Sequence, residues 1–238
     1  MGFQVGRGDL AFRVTPSSEA AQRRNTAVLN ILIEQSADLK RRIMDLRREK
    51  GLRSAVFASA NRGVGVWSVI MNLVKTFEKT ETLRVLVIDA NFKSPGVSNY
   101  LGSRGLGKGL LDLLENPEAS EGVLQKTQGS SLYFMSHGRK RRHPEQLLTL
   151  DRVVPVLSSM ENLFDLILID APPLRDFPDG FLWGRVADGM ILVNHPQRTT
   201  MEDVRFVQAT AKQHKIEILG NVLNRRRCSV PHFVYEWF

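Results

Sequence analysis

The stretch "ASANRGVGVWSV", residues 58–69, has the outline of a phosphate-binding loop. A run of strand-forming residues, "SAVFASA", leads into it, and the apolar stretch "VIMNLVKTF" continues from it as a helix. Gly63 and Gly65 give the backbone the freedom that such a loop needs. A strand, a glycine-rich turn and a helix in this order are the context in which a phosphate loop is expected.

Two side chains that make such a loop catalytic are missing. A working loop has a lysine, which reaches the outer phosphates, and then a serine or threonine, which holds magnesium. This chain has Val66 and Trp67 at those positions. A positive charge about 4 Å from a phosphate, at an effective dielectric of about 20, is worth roughly 4 kcal/mol, so its loss should cost on the order of a thousandfold in affinity or rate. The indole is also expected to fill part of the phosphate site. Taken alone, the loop is equally compatible with a glycine turn that never held a nucleotide.

Short apolar runs alternate with helical patterns along most of the chain. Strands that are apolar on both faces and separated by helices indicate a mostly parallel central sheet with helices on both faces. The fold class is therefore α/β, with a single P-loop NTPase-like domain. The strand runs are 54–60, 83–90, 131–136, 164–171, 189–195 and 216–224. The helices after the first strand are expected to begin near Trp67, Leu106, Pro144, Gly180 and Met201.

The chain divides into three expected segments. Residues 1–25 mix glycine, polar and charged residues without periodicity, which is typical of a flexible leader. Residues 26–228 form the P-loop domain, which starts with an amphipathic helix from Thr26 to Lys50 that ends at Gly51. Residues 229–238 form an aromatic C-terminal tail.

Composition limits the compartment and the partners. An excess of 33 basic over 25 acidic residues gives a net charge of +8, which favours acidic partners such as an anionic membrane surface. The single cysteine, Cys228, suits a reducing compartment, and the apolar runs are too short to cross a bilayer. We therefore expect a cytoplasmic protein that is peripherally associated with the inner face of the plasma membrane. Nucleic acid is an unlikely partner, since no recognition-helix, zinc or RNA-binding signature is found.

Two of the predicted strands end in an acidic residue, Asp89 in "VLVIDA" and Asp170 in "LILIDA". The carboxyl ends of parallel strands meet at one edge of a sheet, where open α/β folds bind their ligands. Carboxylate oxygens are the protein ligands that magnesium prefers. The pair therefore predicts a magnesium site beside the loop.

These stretches together resemble the bacterial tyrosine kinases of capsule and exopolysaccharide synthesis, a P-loop family related to the MinD and ParA ATPases. The family loop "SAxPGEGKS" corresponds to "SANRGVGVW" at 59–67, the motif "IDADxRRP" to "IDANFKSP" at 88–95, and "IDxPP" to "IDAPP" at 169–173. The likeness extends from about Asp38 to Arg225. It implies the P-loop fold, ATP and magnesium as cofactors, and protein tyrosine as substrate.

The resemblance carries over unevenly to the site residues. Asp89 and Asp170 match acidic magnesium-site positions, but Asn91 replaces a second aspartate. Asn224 matches an asparagine near the adenine in related ATPases, and Gly63 and Gly65 match the loop glycines. With Val66 and Trp67 in place of the catalytic pair, the expectation is a nucleotide-binding remnant whose metal position is unoccupied, with no cofactor required and no catalytic residue.

Two further features follow from the resemblance. The family builds rings through a helix ahead of the loop with the pattern ExxRxxR, for which Asp38 and Arg41 are the counterparts here, so a homo- or hetero-oligomer is expected. The family also phosphorylates a tyrosine-rich tail. Only Tyr235 lies in the tail of this chain, as a candidate for phosphorylation or docking.

The sequence leaves three hypotheses. The first is a catalytically inactive, tyrosine-kinase-like scaffold or regulator of exopolysaccharide or capsule synthesis and export, which binds a membrane polysaccharide co-polymerase or an active tyrosine kinase. The second is a residual nucleotide-binding autokinase that uses ATP and magnesium, with a cation such as Lys93 replacing the lost lysine. The third is a positioning module of the ParA and MinD type, bound to DNA or membrane through the basic runs 139–142 and 225–227.

Overall fold

The structure is a computed structural model that describes residues 36–78, 83–96, 107–118, 120–127 and 130–225. The predicted leader at 1–25 and the predicted tail, with Tyr235, lie outside the described residues, as does Cys228. Within the described residues, no helix is long and apolar enough to cross a membrane.

Seven strands form one sheet in the spatial order β3-β4-β2-β5-β1-β6-β7. Every neighbouring pair is parallel except β3 and β4. The three central strands, β1, β2 and β5, are buried along their whole length, because helices cover both faces. The bounds are β1 Ser54–Ala58, β2 Val85–Asp89, β3 Gln125–Lys126, β4 Leu132–Met135, β5 Leu166–Asp170, β6 Gly189–Asn194 and β7 Ile218–Leu223.

Helices on both faces bury two apolar layers against the sheet. The first helix and α2 cover one face, where Ile43 and Phe77 are fully buried in one cluster. The other helices cover the opposite face, where Leu110, Met160 and Ala211 join a second cluster. The helices are α1 at 36–50, α2 Val66–Glu78, α3 Leu110–Glu115, α4 Leu150–Leu163, α5 Gly180–Val186 and α6 Met201–Gln213. The predicted α/β class with a mostly parallel sheet is thereby confirmed.

Most element boundaries agree with the sequence prediction, and the differences have local causes. Gly51 ends α1 with φ of +71°, and its N–H donates to the carbonyl of Arg47 at 3.0 Å. The helix predicted near Pro144 is a short 3-10 turn, Pro144–Leu147, and the α-helix itself starts at Leu150. The strand β3 was not predicted, since two residues at a sheet edge carry no periodic signal.

Candidate phosphate-loop site

The glycine-rich loop connects the carboxyl end of β1 to the start of α2. Gly63 and Gly65 both adopt left-handed backbone angles, with φ of +73° and +88°, which side chains other than glycine rarely tolerate. The α2 ladder begins directly after the loop, where the N–H of Val69 donates to the carbonyl of Gly65 at 3.2 Å. The strand, loop and helix predicted from the sequence are therefore all present.

Side chains from two neighbouring segments hold the start of the loop. The amide nitrogen of Asn61 donates to Asp203 Oδ2 at 2.7 Å, and Arg62 Nε lies 2.6 Å from Asp176 Oδ2. Asp203 belongs to the first turn of α6. Its pKa lies well below the usual range because the backbone N–H of Thr200 donates to it, and because Arg175 and Asn61 add side-chain hydrogen bonds. The loop is thus anchored to an ionised carboxylate.

Trp67 fills the space next to the loop with its indole. A Cβ atom placed on Gly96 would lie 2.6 Å from both Cγ and Cδ2 of Trp67. The ring therefore packs directly against the segment that follows β2. This segment carries Asn91, at the position where the motif of the similar family has its second acidic residue. Position 67 therefore carries a bulky apolar ring and no hydroxyl group.

Asp89 and Asp170 lie side by side at the carboxyl edge of the sheet, in register on β2 and β5. Asp89 is fully buried and Asp170 is 1% exposed. Among the described residues, neither carboxylate oxygen of Asp170 has a hydrogen-bond partner. Burial raises the pKa of Asp170 well above its usual range, and the charge of Asp89 raises it further. The structure therefore brings together the two acidic residues that the sequence singled out.

Asn224 lies beyond the other end of the loop, just after β7. Its amide nitrogen donates to the carbonyls of Val64 at 2.8 Å and Gly65 at 3.2 Å, and its side-chain oxygen accepts the N–H of Arg225 at 2.9 Å. The side chain holds the loop backbone in this structure. A contact between Asn224 and a nucleotide base stays a prediction.

The residues present do not fit a reacting magnesium–ATP complex. Asp170 is suited to a cation, since its buried oxygens have no hydrogen-bond partner among the residues that the structure describes. The loop, however, contributes neither the lysine nor the hydroxyl that such a complex requires, and Val66 and Trp67 stand in their places. Across the described ranges, no group of three or more His, Cys, Asp or Glu side chains is arranged to hold a metal.

Other predicted residues belong to segments outside the loop. Asp38 and Arg41 form an exposed ion pair with each other on α1, with Oδ1 and Nη2 at 2.7 Å. Lys93 lies with its ammonium 5.5 Å from the ring centre of Phe177. Sequence reasoning missed Arg198, which lies against Gly63. It sits in a turn after β6, and no pattern in the sequence marked it.

Comparison with known proteins gives a consistent result. No family model matches the chain. The EpsB protein of Ralstonia nicotianae is 27% identical over 192 residues, which are 81% of this chain and 25% of EpsB. The chain therefore spans about a quarter of the length of that relative. Several further relatives are named tyrosine-protein kinases of bacteria.

Solved structures show the same fold. The kinase domain of VpsO superposes with a TM-score of 0.74 at 21% identity, covering 86% of this chain and 98% of that domain. The septum site-determining protein MinD of Pyrococcus horikoshii, complexed with Mg-ADP, gives a TM-score of 0.59 at 23% identity, covering 78% of this chain and 76% of MinD. The chain is therefore a homologue of the bacterial tyrosine-protein kinases, with the fold of the MinD-like P-loop ATPases.

Proposed function

We propose that the chain is a catalytically inactive relative of the tyrosine kinases that acts as a scaffold or regulator in exopolysaccharide or capsule synthesis and export. One observation carries the proposal. The loop is followed by Val66 and Trp67 in place of a lysine and a hydroxyl residue, and the indole of Trp67 packs on Gly96. Phosphoryl transfer depends almost entirely on positioning and charge stabilisation, and both are reduced here.

The partners follow from the same resemblance. We propose a membrane polysaccharide co-polymerase or an active tyrosine kinase as the protein partner. The exposed pair of Asp38 and Arg41 on α1 is the candidate oligomer contact. Co-purification with a co-polymerase from the same genome tests this, and the variant with Asp38→Arg should lose the complex if α1 forms the contact.

A basic loop at 139–142 supports peripheral association with an anionic membrane. Arg141 is held by Asp112 at 3.1 Å and Glu115 at 2.7 Å, which fixes the loop while the neighbouring basic residues stay exposed. Each basic side chain near an anionic surface contributes about 1 kcal/mol. Flotation with vesicles of anionic lipid should recover the protein, and vesicles of zwitterionic lipid should not. The exposed basic residues are Arg139, Lys140 and Arg142.

A kinase assay tests the central claim. The purified chain, incubated with labelled ATP and magnesium, should show no phosphotyrosine by mass spectrometry. The variant with Asp170→Asn, which alters one of the two acidic residues of the predicted magnesium site, serves as the matched control. Labelling of the natural chain that disappears in this control would refute inactivity.

The residual autokinase remains the second candidate because one observation favours it. In the described part of the chain the two oxygens of Asp170 have no hydrogen-bond partner, which suits a cation, and MinD, which has a similar fold, was solved in complex with Mg-ADP. The double substitution Val66→Lys with Trp67→Ser separates the two candidates. Gain of magnesium-dependent ATP binding only in this variant supports inactivity of the natural chain, whereas equal binding in both supports the autokinase.

A further inference from the structure

A groove of about 500 Å³ lies at the amino edge of the sheet, opposite the carboxyl edge that carries the phosphate loop. Its walls come from the end of α1, from the residues just before β1 and from the connection between α4 and β5. The five residues of β1, at about 3.3 Å each, place the groove and the loop roughly 16 Å apart. The groove is therefore a separate feature of the molecule.

Arginine side chains provide most of the charge in this groove. Among the residues that line it, Arg47, Arg48 and Arg53 carry positive charges, and Asp165 carries a negative one. Arg48 pairs with Asp45 at 3.3 Å. The guanidinium group of Arg53 makes no hydrogen bond or ion pair with any residue that the structure describes. The groove therefore attracts anions.

Arg47 is held by backbone carbonyl groups and, within the described chain, by no salt bridge. Its Nη1 donates to the carbonyl of Leu52 at 3.4 Å and to the carbonyl of Asp165. Burial opposes ionisation of Asp165, but hydrogen bonds from Arg84 and the charges of Arg84 and Arg47 outweigh burial and lower its pKa. A cation that is already positioned loses little side-chain entropy when it binds an anion.

The arginines surround an apolar floor that includes Met44 and Phe164. Phe164 is 5% exposed, and its ring packs edge-on against Tyr133 with the ring centres 5.0 Å apart. Oδ2 of Asp165 accepts the backbone N–H of Arg84 at 2.8 Å, whereas its Oδ1 accepts no hydrogen bond from the residues that the structure describes. A complementary ligand therefore has negative charge, an apolar side chain and an N–H donor.

We propose that this groove binds an acidic segment of a partner protein, in which glutamate or aspartate residues flank an apolar side chain. A polypeptide supplies carboxylates for the guanidinium groups, an apolar side chain for the floor and a backbone N–H for Asp165. Inorganic phosphate has no apolar side chain, and a flat lipid surface does not enter a concave groove. The groove lies away from the loop, so its role goes beyond the proposed function and needs no assumption about phosphotransfer.

Fluorescence anisotropy with a labelled peptide tests the proposal. The peptide has a leucine with two glutamates on either side and both ends blocked, and glutamine replaces every glutamate in the control peptide. The acidic peptide should bind, and its binding should weaken as sodium chloride rises from about 50 to about 500 mM, because salt screens exposed charges. The glutamine peptide should not bind.

Arg53→Glu is the main variant, because no described residue depends on the guanidinium group that it removes. It should weaken peptide binding about tenfold, since it replaces an attractive charge by a repulsive one. Arg47→Met, which removes the fixed cation, should weaken binding by a similar factor; if it lowers the melting temperature, Arg53→Glu alone decides. Arg205→Glu makes the same charge change at an exposed position of α6, on the other face of the sheet, and should leave the affinity unchanged.

The other outcomes would overturn the proposal. Equal binding of both peptides would show that charge is not recognised, and equal effects of Arg53→Glu and Arg205→Glu would show that the groove is not the site. Tripolyphosphate, or phosphatidylserine vesicles, bound through Arg53 when the peptide does not bind would identify a phosphate or a membrane as the ligand instead. Tyrosine labelling in the kinase assay refutes the proposed function and leaves the groove unaffected.

Discussion

Replacing Asp170 by asparagine is expected to stabilise the protein at neutral and alkaline pH. Asp170 is 1% exposed, adjoins Asp89 in register on the sheet, and has two oxygens without a partner in the described structure. Ionising this group in the folded state is unfavourable, so burial raises its pKa well above the usual range, with a further contribution from Asp89. Asparagine has nearly the same shape and never carries the charge.

The sign and size of the effect follow from this pKa. The folded protein prefers protonated Asp170 more strongly than the unfolded chain does. Its contribution to stability is fully present below the unfolded pKa, near 4, and is lost as pH rises through the folded pKa. Asparagine keeps a polar group at this site and removes only the charge, so the gain is about 1.4 kcal/mol for each unit by which the folded pKa is raised; it should be present at pH 8 and absent at about pH 4. For a domain of this size, a gain of about 2 kcal/mol raises the melting temperature by roughly 4–8 °C.

Thermal unfolding followed by circular dichroism from about pH 4 to pH 9 measures the effect. Glu121→Gln, which neutralises an exposed carboxylate in a turn, is the control and should leave the melting temperature unchanged at every pH. Magnesium should not change the melting temperature of the natural chain. A variant at position 170 that is less stable than the natural chain at pH 8, or a difference that does not depend on pH, would refute the reasoning.

Three further substitutions test the packing and charge pattern around the loop. Asp203→Ala should cost about 1–2 kcal/mol in urea unfolding, because it removes the N3 carboxylate of the capping box with Thr200, which is also a charged hydrogen-bond acceptor for Asn61 and Arg175. That cost should shrink as pH falls through the low pKa of Asp203, since protonation weakens the same contacts in the natural chain. Gly96→Ala should cost about 1–3 kcal/mol through a clash with Trp67, and a double-mutant cycle should show that Trp67→Ala relieves it. Arg141→Ala should destabilise the protein by about 1 kcal/mol, whereas the exposed neighbour Arg142→Ala should not, as judged by their melting temperatures.

Hydrophobic patterning was sufficient to predict the central part of the fold. The runs at 54–60, 83–90 and 164–171 became β1, β2 and β5, whose residues are all buried. A strand covered by helices on both faces must be apolar at nearly every position, and this leaves a signal that few other structures produce. The outer strand β7 is partly exposed along its length, and it was recognised from its β-branched residues and its position in the order of elements.

Asp89 and Asp170 were singled out because both end predicted parallel strands, and the structure places them in register; the magnesium site itself stays a prediction. The sequence could not show that β2 and β5 are adjacent in the sheet and place Asp89 directly beside Asp170. Adjacency depends on how the strands are ordered by their crossovers, which no local pattern encodes. The upward shift of the pKa of Asp170 can be inferred only when its burial and its neighbour Asp89 are known.

The position of Arg198 and Arg225 at the loop was not predicted, because turn residues leave no periodic signal; Arg225 was noted only as part of the basic run 225–227. Arg198 follows β6 and Arg225 follows β7, and each reaches the loop from a strand on the same side of β1 in the sheet order. Their positions depend on backbone geometry at the strand ends, including a left-handed φ of +58° at Arg225. Only the three-dimensional structure brings them together.

The loop keeps its shape without the two catalytic side chains because other residues determine that shape. The left-handed glycines determine the course of the loop backbone. The side-chain amide of Asn224 donates hydrogen bonds to two loop carbonyl groups, and Asn61 connects the start of the loop to Asp203. None of these contacts involves position 66 or 67. Restoring a lysine and a serine there should therefore place both groups on a backbone that is already formed.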